Sequence, residues 1–289
     1  MRWLVTGARG MLGRDVVALL TALGDDVTAL GRDDLDVRDH SATREIARGH
    51  DVVLNCAAWT AVDDAEAHEP DAFAVNAVGA GNLARAARLA GARIVQISTD
   101  YVFSGERVGE DGYPEDAPVA PRSAYGRTKA AGEWAVRAEA PDHLVVRTAW
   151  LYGSGPCFPR TALSVVRAKG AIDVVDDQIG QPTSTVDLAD LVVRLVRADA
   201  PAGTYHGTAS GRTSWFGFAR SVVEAAGFDT GVVRATTSSA FPRPAVRPAF
   251  SVLGHDRLEA AGVAPIGPWE DRWREHAADV LQAPAESLS

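Results

Sequence analysis

The sequence predicts an α/β fold: a doubly wound parallel sheet with a smaller C-terminal lobe. Three observations carry that prediction. From residue 2 to residue 148, short apolar runs alternate with longer helical patterns, which calls for parallel strands joined by right-handed crossovers. A glycine-rich turn joins the first strand to the first helix. After residue 152 the rhythm breaks at Gly153-Ser154-Gly155-Pro156, and helical stretches separated by loops take over.

Residues 2–6 are apolar and end at Gly7, as a buried strand does. Leu12, Val16, Leu19, Leu20 and Leu23 fall at helical spacing over 11–23, and Gly24 stops the run. Strands follow at 26–30 and 51–55. One long helix is expected over 69–90, with Pro70 in its first turn. A strand at 92–98, a loop at 101–121, a helix at 123–140 and a strand at 143–148 complete the alternation. Helices are then expected near 160–169, 187–198, 214–226, 255–261 and 269–282. A stretch containing Pro242, Pro244 and Pro248 separates the third from the fourth. From Ala283 onward the chain reads as a frayed polar tail.

The 289 residues are enough to bury a full core without covalent staples. Hydrophobic residues make up 46% and charged residues 23%, which fits a soluble globular protein and not a disordered one. A net charge of −9 argues against a nucleic-acid partner, because phosphate backbones attract basic surfaces. Cys56 and Cys157 lie far apart without metal-type spacing. Neither a disulfide framework nor a zinc site is expected, and a reducing, cytoplasmic setting is. No apolar run nears the ~20 residues of a membrane span, and residues 1–7 enter a strand with no signal-peptide pattern, so no membrane association is expected.

The first strand runs into Thr6-Gly7-Ala8-Arg9-Gly10-Met11-Leu12-Gly13. Gly7 permits the tight turn, Gly10 lets the backbone approach a pyrophosphate, and Gly13 lets the helix pack on the strand. The helix opening at Met11 and Leu12 presents N–H groups and a positive dipole end. This is a Rossmann-type dinucleotide cradle. At the end of the second strand, where the adenosine ribose belongs, the chain reads Leu30-Gly31-Arg32-Asp33-Asp34. Arg32 suits a 2′-phosphate, whereas Asp33 or Asp34 would accept from a ribose hydroxyl. The balance favours NADPH with NADH as the alternative; the bland reading makes Arg32 a solvated loop charge. Asp36 and Val37 are placed to flank the adenine. Ala57 and Ala58 let the cofactor pass close to the third strand, and Trp59 is grouped with them. The division expected is 1–152 for the dinucleotide-binding unit, to which the chain returns around 180–200 and 236–254. Residues 153–289 are expected to be mainly a substrate-binding lobe.

Tyr125 and Lys129 are four apart at the start of a helix and share one face. A phenol with a pKa near ~10 is a poor acid–base group at neutral pH, and a nearby ammonium is expected to lower it. The same lysine is a candidate ligand for the nicotinamide ribose. Alone the pair reads as surface chemistry. Here the fourth strand also ends at Ser98-Thr99-Asp100, at the mouth of the sheet, where Thr99 can hydrogen-bond a carbonyl and stabilise a developing alkoxide.

With these residues the chain resembles the extended short-chain dehydrogenase/reductase superfamily, and within it the dTDP-4-dehydrorhamnose reductase family. The matching stretches are TGARGMLG at 6–13, NCAAWTAVDDAE at 55–66, AVNAVGAGNLARAA at 74–87 and ISTDYVFSG at 97–105. YGRTKAAGE at 125–133 and RTAWLYG at 147–153 continue the match. The second half adds VVDDQIGQPT at 174–183, GTYHGTASGRTSWFGFA at 203–219 and RPAFSVL at 247–253. The resemblance implies an NAD(P)H-dependent oxidoreductase of deoxysugar biosynthesis, acting on the C4 ketone of a 6-deoxy-L-hexose carried on dTDP. It implies Tyr125 as proton donor, Lys129 as its tuning and ribose-binding partner, and Thr99 as carbonyl ligand. Asp100 and Trp150 match positions that line the family's substrate site; the bland reading of Trp150 is a core aromatic beside Tyr152. Arg243 and Arg247 are added as candidates for the substrate diphosphate, because arginine forks match phosphate oxygens.

Two departures stand out. Leu253-Gly254-His255 replaces a leucine–aspartate pattern, and Cys157-Phe158 replaces an Asn-Phe pair near the expected sugar pocket. Some members hold magnesium with acidic residues at a subunit contact. Asp15 matches one such position, but no complete acidic set is evident and no metal is expected. The expected assembly is a monomer or homodimer. Three alternatives are weighed: a 4-ketoreductase for another dTDP-deoxysugar of an antibiotic pathway, an epimerase or dehydratase on the same fold, and a non-catalytic regulatory relative. Asp100-Tyr101 after Thr99, where dehydratases carry Asp-Glu, argues against a dehydratase. Intact Thr99, Tyr125 and Lys129 argue against a regulatory relative.

Overall fold

A computed structural model describes residues 1–109 and 111–282. The expected tail from Ala283 lies outside the described residues. The first half is built from β1 (Arg2–Thr6), α1 (Met11–Ala22), β2 (Asp26–Leu30), α2 (His40–Ile46) and β3 (Val52–Asn55). It continues through α3 (Glu69–Phe73), α4 (Ala80–Ala90), β4 (Arg93–Thr99), α5 (Ala124–Glu139) and β5 (His143–Thr148). The second half contains β6 (Leu151–Tyr152), α6 (Phe158–Lys169), β7 (Ile172–Val175), β8 (Ile179–Gly180), β9 (Thr183–Ser184) and α7 (Thr185–Arg197). It ends with β10 (Gly203–His206), β11 (Ala209–Ser210), β12 (Thr213–Ser214), α8 (Trp215–Ala225), β13 (Val233–Thr236), α9 (Asp256–Ala260), β14 (Ile266–Pro268) and α10 (Trp269–Gln282).

Among the described residues, six parallel strands form the main sheet in the order β10-β5-β4-β3-β1-β2. The chain turns one way from β1 to β2 and the other way through β3, β4 and β5. The carboxyl ends of β1 and β3 therefore frame the crevice where doubly wound sheets bind ligands. The strand that the second half adds to this sheet is β10, while β13 pairs with β7 outside it.

Strand alternation sorts the core into two layers. Trp3, Val5, Leu144 and Val146 face Val16 and Leu20 of α1 and Leu188, Leu191 and Leu195 of α7. Leu4, Val53, Ile94 and Val145 face Leu83 and Ala84 of α4 and Val136 of α5. In the second half, Tyr152, Phe218, Trp269 and Trp273 pack edge-on or tilted, tying α8 and α10 to β6.

The long helix expected over 69–90 is interrupted. Residues Ala74–Gly79 form a π-helical segment between α3 and α4. Its wider turn places Asn76 inward, where the amide oxygen accepts from the Trp59 N–H at 2.8 Å and the amide nitrogen donates to the Thr128 hydroxyl at 3.0 Å. Such insertions are frequent at functional sites.

Candidate active site

The glycine turn is built as its spacing requires. Gly7 has φ 66°, and an added Cβ would lie 2.6 Å from the Ala57 nitrogen. Gly13 leaves no more room: a Cβ there would lie 2.7 Å from the Ala8 Cα. No side chain caps the N-terminus of α1, so its first amides and positive dipole end face the crevice. Leu12 is buried in the core, leaving its backbone as the part near the crevice, and Met11 is half-buried. Ala57, Ala58 and Trp59 are half-buried along the same edge.

Arg9 bridges this turn to the end of β2, donating to Asp33 at 2.8 Å and to Asp34 at 3.0 Å. Asp34 also accepts from the Gly31 amide at 2.8 Å. The two acids considered for a ribose hydroxyl are thus engaged by Arg9. Arg32 is exposed at the same corner. Asp36 is exposed and chelated by Arg38 at 2.7 and 2.9 Å, and Val37 is buried against Gly79.

Tyr125 sits in the first turn of α5, whose Ser123 cap accepts from Gly126 at 3.1 Å. Glu66 accepts from the Ala124 amide at 2.8 Å, and Glu69 grips Arg127 through two bonds of 2.7 Å. These contacts fix the turn beside the end of β4. Thr99 donates to Asp100 at 2.9 Å and its hydroxyl accepts from the Tyr101 amide at 3.2 Å, beside the Tyr125 phenol. Tyr101 packs edge-on against Tyr125 with ring centroids 5.6 Å apart.

The electrostatics depart from expectation. Burial pushes the Tyr125 phenol up to about 12, against the smaller opposing influence of the Thr99 hydroxyl. Lys129 does not lower it: its ammonium donates to the Ile97 carbonyl at 2.7 Å, and burial pushes it down to about 8. Lys129 is buried and Tyr125 half-buried, so the two do not form a simple solvent-exposed charge pairing. Burial also raises the Asp100 carboxyl to about 6, against the smaller opposing influence of the neighbouring Ser251 and Thr99 hydroxyls. Asp100 is 3% exposed, and its Oδ2 is buried without a hydrogen-bond partner.

Trp150 lies two residues beyond Thr148, the register partner of Thr99. It stacks on Trp215, not on Tyr152, with ring centroids 3.6 Å apart. Arg247 lines a cleft of about 400 Å³ together with Arg107, Arg122, Gly105 and Phe250. It is paired with Asp63 at 2.9 Å. Arg243 is exposed and does not line that cleft, so the structure brings together only one of the two arginines expected at the diphosphate. Cys157 is buried ahead of α6, its thiol directed to the Gly153 carbonyl at 3.7 Å, and Phe158 leans on Trp215. Burial raises the Asp15 carboxyl, which lies beside Thr185; Asp187 is held by Arg272 at 2.6 Å and by His276 at 3.1 Å. Among the described residues, no group of three or more His, Cys, Asp or Glu side chains is arranged to hold a metal ion. No helix among them is long and apolar enough to cross a membrane.

The family model described as "RmlD substrate binding domain" matches residues 1–282. A dTDP-4-dehydrorhamnose reductase of Streptomyces griseus is 50% identical over 276 residues, covering 93% of this chain and 90% of that protein. The chain belongs to the dTDP-4-dehydrorhamnose reductase family. It is also 49% identical, over 98% of its length and 97% of the other's, to a protein of Streptomyces antibioticus named a probable dTDP-4,6-dihydroxy-2-methyloxan-3-one 4-ketoreductase. The Bacillus anthracis dTDP-4-dehydrorhamnose reductase solved in complex with NADP superposes with a TM-score of 0.90 at 34% identity, covering 96% of this chain and 98% of that one. In this member of the family, sequence reasoning missed four residues that shape the site. Asn76 ties the Trp59 loop to α5, and Arg9 ties the glycine turn to β2. Asp63 holds Arg247. Glu133 binds Ser98 at 2.6 Å and Arg147 at 2.8 and 2.9 Å beneath Lys129. Glu133 had a signal, since it lies four residues after Lys129 on α5.

Proposed function

We propose that the protein is an NADPH-dependent reductase of the C4 ketone of a dTDP-4-dehydro-6-deoxy-L-hexose, forming dTDP-L-rhamnose. The observation that carries this reading is the buried Thr99 hydroxyl at the carboxyl end of β4 beside the protonated phenol of Tyr125, in a chain of this family. When bound, NADPH supplies the hydride. Gly7, Gly10 and Gly13 fit a dinucleotide because a side chain at Gly7 would strike the Ala57 backbone and one at Gly13 the Gly7–Ala8 backbone, forcing the tight turn open, and the uncapped start of α1 suits its pyrophosphate. Met11, Leu12, Ala57, Ala58 and Trp59 border it, Asp36 and Val37 flank the adenine, and exposed Arg32 takes the 2′-phosphate. NADH is the lesser alternative, since Arg9 occupies Asp33 and Asp34.

Thr99 orients the ketone. Tyr125 donates its proton to the oxygen as negative charge develops there; its raised pKa keeps the donor loaded at neutral pH. Lys129 holds the nicotinamide ribose. Asp100 Oδ2 accepts from a sugar hydroxyl, which satisfies its buried lone pair. Trp150 packs on the sugar, and Arg247 with Arg107 and Arg122 meets the diphosphate. In this reading residues 1–152 carry the cofactor and the second half carries mainly substrate. The 49% identity to a named 4-ketoreductase, together with Cys157-Phe158, favours a second reading, reduction of another dTDP-4-ketosugar.

The test is nicotinamide absorbance with each ketosugar nucleotide. Tyr125→Phe is expected to lose turnover by two to four orders of magnitude, roughly the worth of a positioned acid, and to keep NADPH binding. Near-normal turnover would remove Tyr125 from the acid role. Arg32→Ala is expected to erode the preference for NADPH over NADH, and an unchanged ratio would return Arg32 to a plain loop charge.

A further inference from the structure

Trp150 is held in an unusual way. Its φ of 47° lies in the left-handed region, which a bulky residue occupies only where its surroundings over-determine it. The surroundings here are specific. One face of the indole lies on Trp215 at 3.6 Å between centroids and 8° between planes. Trp215 is backed by Phe158, with centroids 4.5 Å apart. It opens α8, where the Ser214 hydroxyl accepts from Gly217 at 3.0 Å and donates to Asp176 at 2.5 Å, so its backbone is anchored. At Gly180 there is no room for a side chain: a Cβ would lie 2.5 to 2.7 Å from the Trp150 indole atoms. The Trp150 carbonyl accepts from the Thr183 amide at 3.2 Å.

We propose that Trp215 and Gly180 form a clamp that fixes the Trp150 indole for the sugar of the substrate, with Trp215 as the positioning residue. The inference rests on the reading of Trp150 as a substrate contact and adds to it a second-lobe residue that acts only through Trp150. An indole locked before binding loses no rotamer freedom on binding, so the clamp lowers the KM for the sugar nucleotide without touching the cofactor. The partners of the clamp come from α6, α8 and β8, three elements distant in sequence from the Tyr125 helix.

The experiment compares Trp215→Leu, Trp215→Phe, Gly180→Ala and Trp150→Leu in the full chain. Readouts are KM and kcat for the ketosugar nucleotide, NADPH affinity by fluorescence titration, and the circular dichroism couplet of two stacked indoles. Trp215→Leu is expected to abolish the couplet and raise KM about tenfold, with NADPH affinity unchanged. Trp215→Phe, which keeps a flat ring under Trp150, is expected to restore most of the KM. Gly180→Ala is expected to raise KM from the other side and remains decisive if Trp215→Leu folds poorly. A lost couplet with an unchanged KM, in a variant that binds NADPH normally, overturns the clamp. If Trp150→Leu itself has a normal KM, the reading of Trp150 as a substrate contact falls first, and the clamp with it.

Discussion

In the proposed mechanism, Tyr125, Lys129 and Asp100 divide the proton chemistry by their surroundings. Tyr125, raised to about 12, stays protonated across the working range, whereas Lys129, lowered to about 8, does not stay charged above it. As pH rises through about 8 the ammonium loses its proton, and NADPH affinity is expected to weaken there. Fluorescence titration against pH checks this: Tyr125→Phe should keep that alkaline limb and Lys129→Met should lose it. Asp100, raised to about 6, loses its charge as pH falls through that value. The KM for the sugar nucleotide is therefore expected to rise below about 6, and Asp100→Asn should show a high KM with no such rise. The spacing of Tyr125 and Lys129 was legible because i and i+4 share a helix face. The direction of their pKa shifts was not, because it depends on how far the loops after β3 and β4 cover them. Asp63 and Asn76 were illegible as site residues because each acts through a segment remote in sequence, Arg247 or the Trp59 loop.

Elements were legible where local chemistry fixes them. Ser123, Ser184 and Ser214 cap α5, α7 and α8, and the starts expected from pattern fall within three residues of those caps. The π-helical segment was not legible, because Asn76 is drawn inward by partners that the 69–90 pattern does not contain. Gly132 of α5 lies directly against the Asn76 carbonyl, so Gly132→Ala forces the two elements apart. A loss of about 1–3 kcal/mol is expected from such overpacking, read by denaturant unfolding, with weaker NADPH binding alongside. Unchanged stability would mean that this contact yields freely. Under α5, burial alone would raise the Glu133 carboxyl, but its bonds to Arg147 and Ser98 outweigh that and hold it below the usual range. Its contribution to stability is thus present above about 4.5 and is lost as pH falls through the lower folded-state value. Glu133→Gln is expected to unfold at markedly lower denaturant, since breaking a buried pair costs about 3–5 kcal/mol, and to lose that part of the acid sensitivity.

At the scale of the whole molecule, the alternation of strands and helices made the sheet legible, while the sixth strand, β10, lay hidden among the helices of the second half. Its Gly203-Thr204-Tyr205-His206 carries no alternation of its own and is fixed by pairing to β5. In the proposed function the acidic chain meets its anionic ligands through local devices: the glycine cradle, the start of α1, and the arginine-lined cleft where Asp63 of the first half holds Arg247 of the second. The proposal joins the cradle, the neighbouring Thr99 and Tyr125, and that cleft in one reaction, a hydride transfer to a sugar ketone held by its nucleotide. The most direct measurement supplies NADPH deuterated at the transferable nicotinamide position with dTDP-4-dehydro-6-deoxy-L-hexose and reads the product by NMR. The account predicts deuterium on sugar C4, with the C4 hydroxyl in the L-rhamno configuration. Ketosugar recovered unreduced with every nicotinamide cofactor, or deuterium at any other carbon, would contradict it.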